Sequence, residues 1–337
     1  MPPPSTATAA GRRRAASVIG LLVGGCVAAI VLALLVGSVP IDAGRLLAAV
    51  LGERTDATAT IVLDLRLPRA LAAFATGGLL ALAGTLRQVL MRNPLADPYV
   101  LGISGGAAVA ALTAILVGLS AWSGMAALVG ALVSTLLVFG LARDRDAGVP
   151  WVATRLLLTG VVVAAGWGAL IALLLTLAPD AAVRGMLFWL LGDLSAASGG
   201  APAIAALGVA LAAALLVARD LNAITRGEDT AMALGVAVPQ VALVAHVLAA
   251  TATAVAVALA GSIGFVGLLA PHAMRLVVGN DQRVLLPAAT LAGGMLLVVA
   301  DTLARTLVAP LQLPVGVLTA LVGVPAFLFL LARGGAR

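Results

Sequence analysis

The chain has 337 residues, 62% of them apolar and 10% charged, with a mean hydropathy of +1.17 and a formal net charge of +6. A water-soluble domain cannot hide that much apolar surface, so lipid is the solvent, and continuous rather than alternating apolar runs require helices instead of a barrel. All 20 basic residues are arginine and Cys26 stands alone, which excludes a lysine-dependent Walker phosphate loop and an internal disulfide; the positive balance reads as membrane topology, not nucleic-acid binding.

A single span needs about 20 apolar residues. Ten segments qualify: 15–39, 70–91, 100–119, 121–142, 156–178, 200–218, 239–260, 261–278, 285–303 and 314–332. The expectation is an all-α membrane protein of about ten transmembrane helices, with 1–14 a cytoplasmic tail lacking fixed structure and 15–337 one transmembrane domain. Arg12, Arg13 and Arg14 precede an apolar run as long as a full span, with no small-x-small cleavage site after it. That favours an uncleaved first span with these arginines left in the cytoplasm.

Between the second and third segments lies "RNPLADPYVLGISGG", 92–106. Pro94 and Pro98 stop the second helix and bias Asn93 and Asp97 away from helix, and those two side chains can serve freed backbone groups locally. Gly102, Gly105 and Gly106, flanking Ser104, allow close backbone contact at the start of the third span. The residues by themselves give a structural turn followed by a packing seam.

Further on, 219–236 is the most polar loop, holding Arg219, Asp220, Arg226, Glu228 and Asp229. Thr225-x-x-Glu228 fits a capping box and Gly235 a C′ position, so the spacing predicts a helix of about two turns from Arg226 to Leu234, through Gly227 and Ala231. The seventh and eighth spans meet near Gly261 with almost no loop. Pro271 bends the eighth and frees a carbonyl, and His272 beside it is read as packing or gate support ahead of ligand contact. His246 has no motif around it and is read as a polar group facing the bundle.

Starting inside and alternating, fourteen arginines fall on inner segments: Arg12, Arg13, Arg14, Arg87, Arg92, Arg143, Arg145, Arg155, Arg219, Arg226, Arg275, Arg283, Arg333 and Arg337. Six fall outside: Arg45, Arg54, Arg66, Arg69, Arg184 and Arg305. This bias places both termini in the cytoplasm and the chain in the cell membrane as a multi-pass protein. Arg66 and Arg69 flank Pro68, a good first helical residue. Snorkelling to headgroups accounts for outer arginines, and Asp301, four residues before Arg305, can pair with it.

Several stretches taken together resemble the FecCD (BtuC-type) permease family. They are "RLPRALAAFATGGLLALAGTLRQVLMRNPLADPYVLGISGGA" (66–107), "LNAITRGEDTAMALGV" (221–236), "GSIGFVGLLAPHAMRLVVGNDQRVLLP" (261–287), "ADTLARTL" (300–307) and "LPVGVLTALVGVPAFLFLL" (313–331). The resemblance covers nearly everything after about residue 40. It implies a BtuC-like bundle paired as a homodimer or a related heterodimer, two separate ABC ATPase subunits carrying ATP and magnesium, and an extracytoplasmic substrate-binding protein. It implies import of ferric siderophores, with haem or cobalamin as alternatives, by alternating access. No cofactor or metal is implied on this chain, and it is not itself an enzyme. By the same resemblance Arg66, Arg69 and Arg305 dock the binding protein. Arg226, Gly227, Glu228, Ala231, Leu234 and Gly235 form the element that couples to the ATPase. Asn93, Pro94, Pro98, Gly102, Ser104, Gly105, Pro271 and His272 belong to structural or gating motifs.

Two rivals come from other classes. Gly102-Ile103-Ser104-Gly105 fits the GxSG pattern of rhomboid intramembrane proteases, with His272 or His246 as base. An ion-coupled secondary transporter would want acidic residues at mid-span, and Asp301 sits near an end.

Overall fold

A computed structural model describes the chain except residues 1–5, 38, 53–56, 143–152, 196, 198 and 335–337. The described residues contain helices and turns and no strand. Fifteen α-helices follow in chain order. They are α1 (Thr6–Leu35), α2 (Ala43–Val50), α3 (Ala57–Thr60), α4 (Leu67–Leu90), α5 (Ile103–Leu116), α6 (Ser123–Ala142), α7 (Ala153–Leu177) and α8 (Asp180–Leu190). After these come α9 (Gly200–Leu216), α10 (Ala218–Ile224), α11 (Glu228–Ala233), α12 (Val238–Ala260), α13 (Val266–Val278), α14 (Gln282–Thr306) and α15 (Val315–Gly334). In a solvent without hydrogen-bond partners, helices are the local solution that satisfies every backbone group within the segment.

Each of the ten apolar segments meets a helix. By length and composition, six spans are long enough to cross a membrane: Arg13–Leu35, Ala57–Leu90, Ser120–Ala142, Thr154–Leu177, Val238–Ala260 and Gln282–Thr306. The pair α9 and α10, bent by 55°, makes a seventh, while α5, α13 and α15 are shorter apolar helices. Two boundaries differ from expectation. The first helix begins at Thr6 rather than residue 15, because the alanine-rich start of the tail is helix-forming and runs into the span without a breaker. The second begins at Ala57 and passes through a π-helical stretch, Ile61–Arg66, before Pro68, which cannot donate a ladder hydrogen bond. Arg54, Arg143, Arg145 and Arg337 of the arginine count lie outside the described residues.

Packing centres on α4, which is buried along almost its whole length. With no hydrophobic force between helices in lipid, close association needs small residues. Gly77 of α4 faces Gly293 of α14 so closely that a Cβ on Gly77 would lie 2.2 Å from the Gly293 carbonyl oxygen. A Cβ on Gly84 would lie 1.8 Å from the carbonyl oxygen of Gly267 on α13. The core around these contacts is largely alanine. At the other extreme, α7 is exposed along most of its length and turns Leu158, Val161 and Val162 outward.

The division near Gly261 is sharp. Helix α12 ends at Ala260, Gly261 has φ +68°, and the chain runs without helix to Phe265, itself in the left-handed region at φ +68°. Irregular backbone inside a bundle must find partners in the protein. Ala260 accepts from the Asp193 amide (2.9 Å), and the Ile263 amide donates to the Tyr99 hydroxyl (3.2 Å). Pro271 lies inside α13 and is buried.

Candidate functional site

Two polar clusters sit at opposite ends of α4, which at 24 residues is about 36 Å long. At its first end the structure gathers Arg66, Arg69 and Arg305 as the sequence expected, but it spends them differently. Arg66 is buried. Its Nη1 donates to the carbonyls of Leu34 (2.7 Å) and Leu35 (3.2 Å), and its Nη2 to that of Val39. The first two carbonyls belong to the last turn of α1 and the third to the loop beyond it, and a planar guanidinium with several donors serves all three at once. Arg66 therefore braces the end of α1 instead of extending outward.

Asp301 is the hub of this cluster. Arg69 grips it two-handed, Nε donating to both carboxylate oxygens (3.2 and 3.1 Å) and Nη2 to Oδ1 (2.9 Å). Arg305 Nε lies 3.3 Å from Oδ2, which makes the i,i+4 pair the spacing allowed. Arg69 Nη1 also donates to Gln312 Oε1 (3.1 Å), and Arg305 Nη2 to the Ala33 carbonyl (3.2 Å). Side-chain exposures of 3% for Asp301, 13% for Arg69 and 10% for Arg305 place the network largely out of water, where charge-assisted bonds are strong. All three arginines line a cavity of about 530 Å³ with Asp64, Ser195 and Gln312. Three cations against Asp301 and Asp64 leave a positive surplus, which suits a carboxylate. Sequence reasoning paired Asp301 with Arg305 alone; Ser195 and Gln312 carried no motif.

At the far end of α4 the turn forms as read. The Asn93 side chain accepts from the Leu95 amide (2.9 Å) and that of Asp97 from the Tyr99 amide (2.8 Å). Burial pushes the Asp97 carboxyl above its usual range, and the Tyr99 amide pulls it partly back. Pro98 opens a short 3₁₀ turn, and Gly102, φ +68°, leads into α5. A Cβ on Gly105 would strike Trp167 of α7, and Ser134 donates to the Gly102 carbonyl, so this stretch is a packing seam between α5, α6 and α7.

The segment 219–236 corrects one expectation. Thr225 and Glu228 form no capping box: Thr225 Oγ1 donates to the Asn222 carbonyl (2.8 Å) and closes α10, and α11 starts only at Glu228. Gly227, φ +119°, separates the two, so Thr225 cannot hold the cap geometry. Glu228 instead accepts from Arg92 Nη2 (2.7 Å), which ties α11 to the turn after α4. The C-terminus behaves as read. Gly235 has φ +82°, its amide bonds the Met232 carbonyl and that of Val236 the Ala231 carbonyl, a Schellman ending. Ala231 is buried, while Arg226 and Leu234 are exposed. Asn222 bridges to the start of α14 through the Asp281 carboxylate (2.7 Å) and the Gln282 amide (2.8 Å).

Within the bundle, Arg87 is fully buried and its Nη1 lies 2.7 Å from His246 Nδ1, with Phe139 edge-on to the imidazole at 5.3 Å. His246 thus faces the bundle, as expected, but its partner was not legible. His272 stands edge-on to Phe327 at 6.0 Å. Neither histidine hydrogen-bonds Ser104 among the described residues: His246 packs against Arg87 and Phe139, and His272 against Phe327.

The FecCD transport family model matches residues 25–333. A hemin transport system permease of Yersinia pestis is 39% identical over 287 residues, 82% of this chain and 85% of that one. A cobalamin import system permease of Halobacterium salinarum is 39% identical over 275 residues, 80% of this chain and 73% of that one. Among solved structures, an inward-facing ABC transporter of the metal-chelate type matches with a TM-score of 0.80 and 28% identity, covering 95% of this chain and 99% of that one.

Proposed function

The chain belongs to the FecCD transport family, as a multi-pass membrane permease subunit of an ABC importer, and from that premise we propose that it carries a chelated metal inward across the cell membrane. The cargo we propose is a ferric siderophore. Haem and cobalamin are the second readings, supported alike by the 39% identity to a hemin permease and to a cobalamin permease. The single observation that supports transport by conformational change is the arrangement of α4: one polar cluster at each end of a helix that is buried and tightly packed between them.

In this reading the chain crosses the membrane ten times, has both termini in the cytoplasm, and works as a pair of identical or related subunits. Two ABC ATPase subunits supply ATP hydrolysis and hold the nucleotide and its magnesium, and this chain holds no cofactor. The segment 219–236, with Arg226, Gly227, Glu228, Ala231, Leu234 and Gly235, contacts the ATPase. A two-turn helix locked by a Schellman ending transmits force where a free loop would not. An extracytoplasmic binding protein docks its acidic groups at Arg69 and Arg305, while Arg66 holds the rim of that surface in place. Pro271 and His272 support the gate.

The test is uptake by proteoliposomes that contain this permease, its ATPase and its binding protein. Iron-loaded siderophore should accumulate in an ATP-dependent way, faster than hemin or cobalamin. Hemin or cobalamin uptake without siderophore uptake would replace the first cargo with that one. ATP-independent uptake driven by an ion gradient would refute the importer mechanism.

A further inference from the structure

We propose that Arg87 is a conformational device: a buried cation, under-provided with partners, that favours parting α4 from α12 at the end of the bundle where the segment 219–236 lies. Arg87 stands in the last turn of α4 and is 1% exposed, so protein encloses its guanidinium. One side chain serves it. Its Nη1 lies 2.7 Å from His246 Nδ1 on α12. A guanidinium only donates, so Nδ1 accepts, the imidazole is neutral and its proton sits on Nε2. The pair therefore holds one full positive charge and no negative one, and among the described residues no carboxylate reaches Arg87. Nε and Nη2, which make the two-pronged edge of the guanidinium, are buried without a hydrogen-bond partner, and so is Oε1 of Gln88, the next residue. A buried charge without a counter-charge is costly, and each unmade donor adds to that cost. The negative end of the α4 dipole offsets only part of it.

The packing shows which neighbour can give way. The α4 glycines make their closest contacts with α9, α13 and α14, not with α12. On the α12 side the contact is a row of alanines, Ala245, Ala249, Ala252 and Ala256, spaced along one helical face and packed in the same core as α4. Nothing there locks the two helices backbone to backbone as Gly77 and Gly84 lock α4 to α14 and α13. Phe139 of α6, edge-on to His246 at 5.3 Å, closes the third side of this seam. Helix α12 begins at Val238, directly after the segment 219–236, and His246 is in its third turn. Displacement of that segment draws on the first turn of α12 and carries His246 away from Arg87. The free edge of the guanidinium is then open to water, and the cost of the closed seam is removed. His246 is thus the catch and Arg87 the spring. The inference rests on the proposed function only in that this end of the bundle opens during transport; cargo, binding protein and nucleotide do not enter it.

The experiment uses the full permease in nanodiscs, without ATPase or cargo. A cysteine replaces Ala245, which is buried in the seam one residue before His246, in a Cys26→Ala background. The rate of its reaction with a small methanethiosulfonate reports how often the seam opens. Arg87→Met keeps the length of the side chain and removes the charge, and it should slow labelling by roughly tenfold, the factor that one unmade buried donor corresponds to. It should also raise the midpoint of thermal unfolding. His246→Leu takes away the acceptor and leaves the charge, and it should speed labelling. The double variant should label as slowly as Arg87→Met alone. An Arg87 that merely holds the fold together gives the opposite sign, with Arg87→Met labelling faster and melting lower. The proposal stands only if Arg87→Met slows labelling and His246→Leu does not; any other pair of results overturns it. So does a parent protein that does not label, since its seam then never opens unaided. Because neither cargo nor ATPase is present, these results and those of the uptake assay can fail independently.

Discussion

Replacing Asp301 by Asn keeps the shape of the hub and removes its charge. The carboxylate accepts three hydrogen bonds from Arg69 and lies 3.3 Å from Arg305 Nε. An amide retains one acceptor oxygen and turns an NH₂ toward a guanidinium, so two arginines are left facing each other without compensation. Breaking a buried pair by removing one partner costs about 3–5 kcal/mol. Because Arg69 and Arg305 keep 13% and 10% exposure, solvent screens part of this, and the lower end, about 3 kcal/mol, is the expectation. The assay is thermal unfolding in detergent micelles followed by tryptophan fluorescence. Asp301→Asn should lower the midpoint by about 5–10 °C, and Arg69→Gln should lower it as well. The double variant should lose clearly less than the sum of the two, since the second change removes a charge that the first left unpaired. Additive losses, or an Asp301→Asn protein that melts like wild type at low and high salt, would refute the claim that this network is desolvated and coupled.

Gly84→Val places a Cβ 1.8 Å from a backbone oxygen that no rotamer change can move, so at least about 1–3 kcal/mol of overpacking should appear as lost folded yield. Charge reversal at Arg69 and Arg305 should weaken binding of the purified binding protein to the permease in nanodiscs more than alanine does, in a salt-sensitive way; binding unchanged at both salt concentrations would return these arginines to a purely structural role. Gly227→Pro with Glu228→Ala should leave the permease inserted yet abolish cargo-stimulated ATP hydrolysis, and wild-type stimulation would sink the coupling assignment. Cysteines at 281 and 180, in a Cys26→Ala background, should differ in labelling by an impermeant maleimide in intact cells, with 180 reacting and 281 protected.

The helices were legible because lipid makes the signal simple: a run of apolar residues long enough to cross must be helical. Of the short elements, α11 was legible from its glycine ending, but α2 and α8 were not. Helices α2 and α8 have 8 and 11 residues and mix arginine with apolar positions, so their pattern is that of a loop. At the site, legibility followed sequence distance. Asp301 and Arg305 are four apart, and their pairing could be read directly. Arg69 and Asp301 are 232 apart, and Arg87 and His246 159 apart, so only packing could join them. Arg66 misled for a physical reason: an arginine at a membrane end reads as solvent-seeking, yet this one is taken up by the carbonyls of Leu34, Leu35 and Val39. The capping box failed because the motif specifies residue types and says nothing of the φ of Gly227 between them.

How α4 is held decides where the molecule can move. Its first turn is clamped to α14 through Arg69 and Asp301, its middle touches α14 and α13 backbone to backbone at Gly77 and Gly84, and Gln88 donates to the Leu268 carbonyl (3.2 Å). Sliding α4 along either neighbour would drive a carbonyl into a glycine Cα or separate a desolvated ion pair, and packed interiors resist such displacement. The compliant places lie elsewhere. They are the bend between α9 and α10, and Gly227, which lies between α10 and α11 at a φ few other residues adopt. The exposed Arg92–Glu228 pair, at 53% and 39% exposure, is the weakest of the ties on α4, about 0–1 kcal/mol. If the segment 219–236 couples to the ATPase as proposed, its displacement would bend the chain at Gly227 and load the far end of α4 through a contact weak enough to break and reform, while α4, α13 and α14 would travel together.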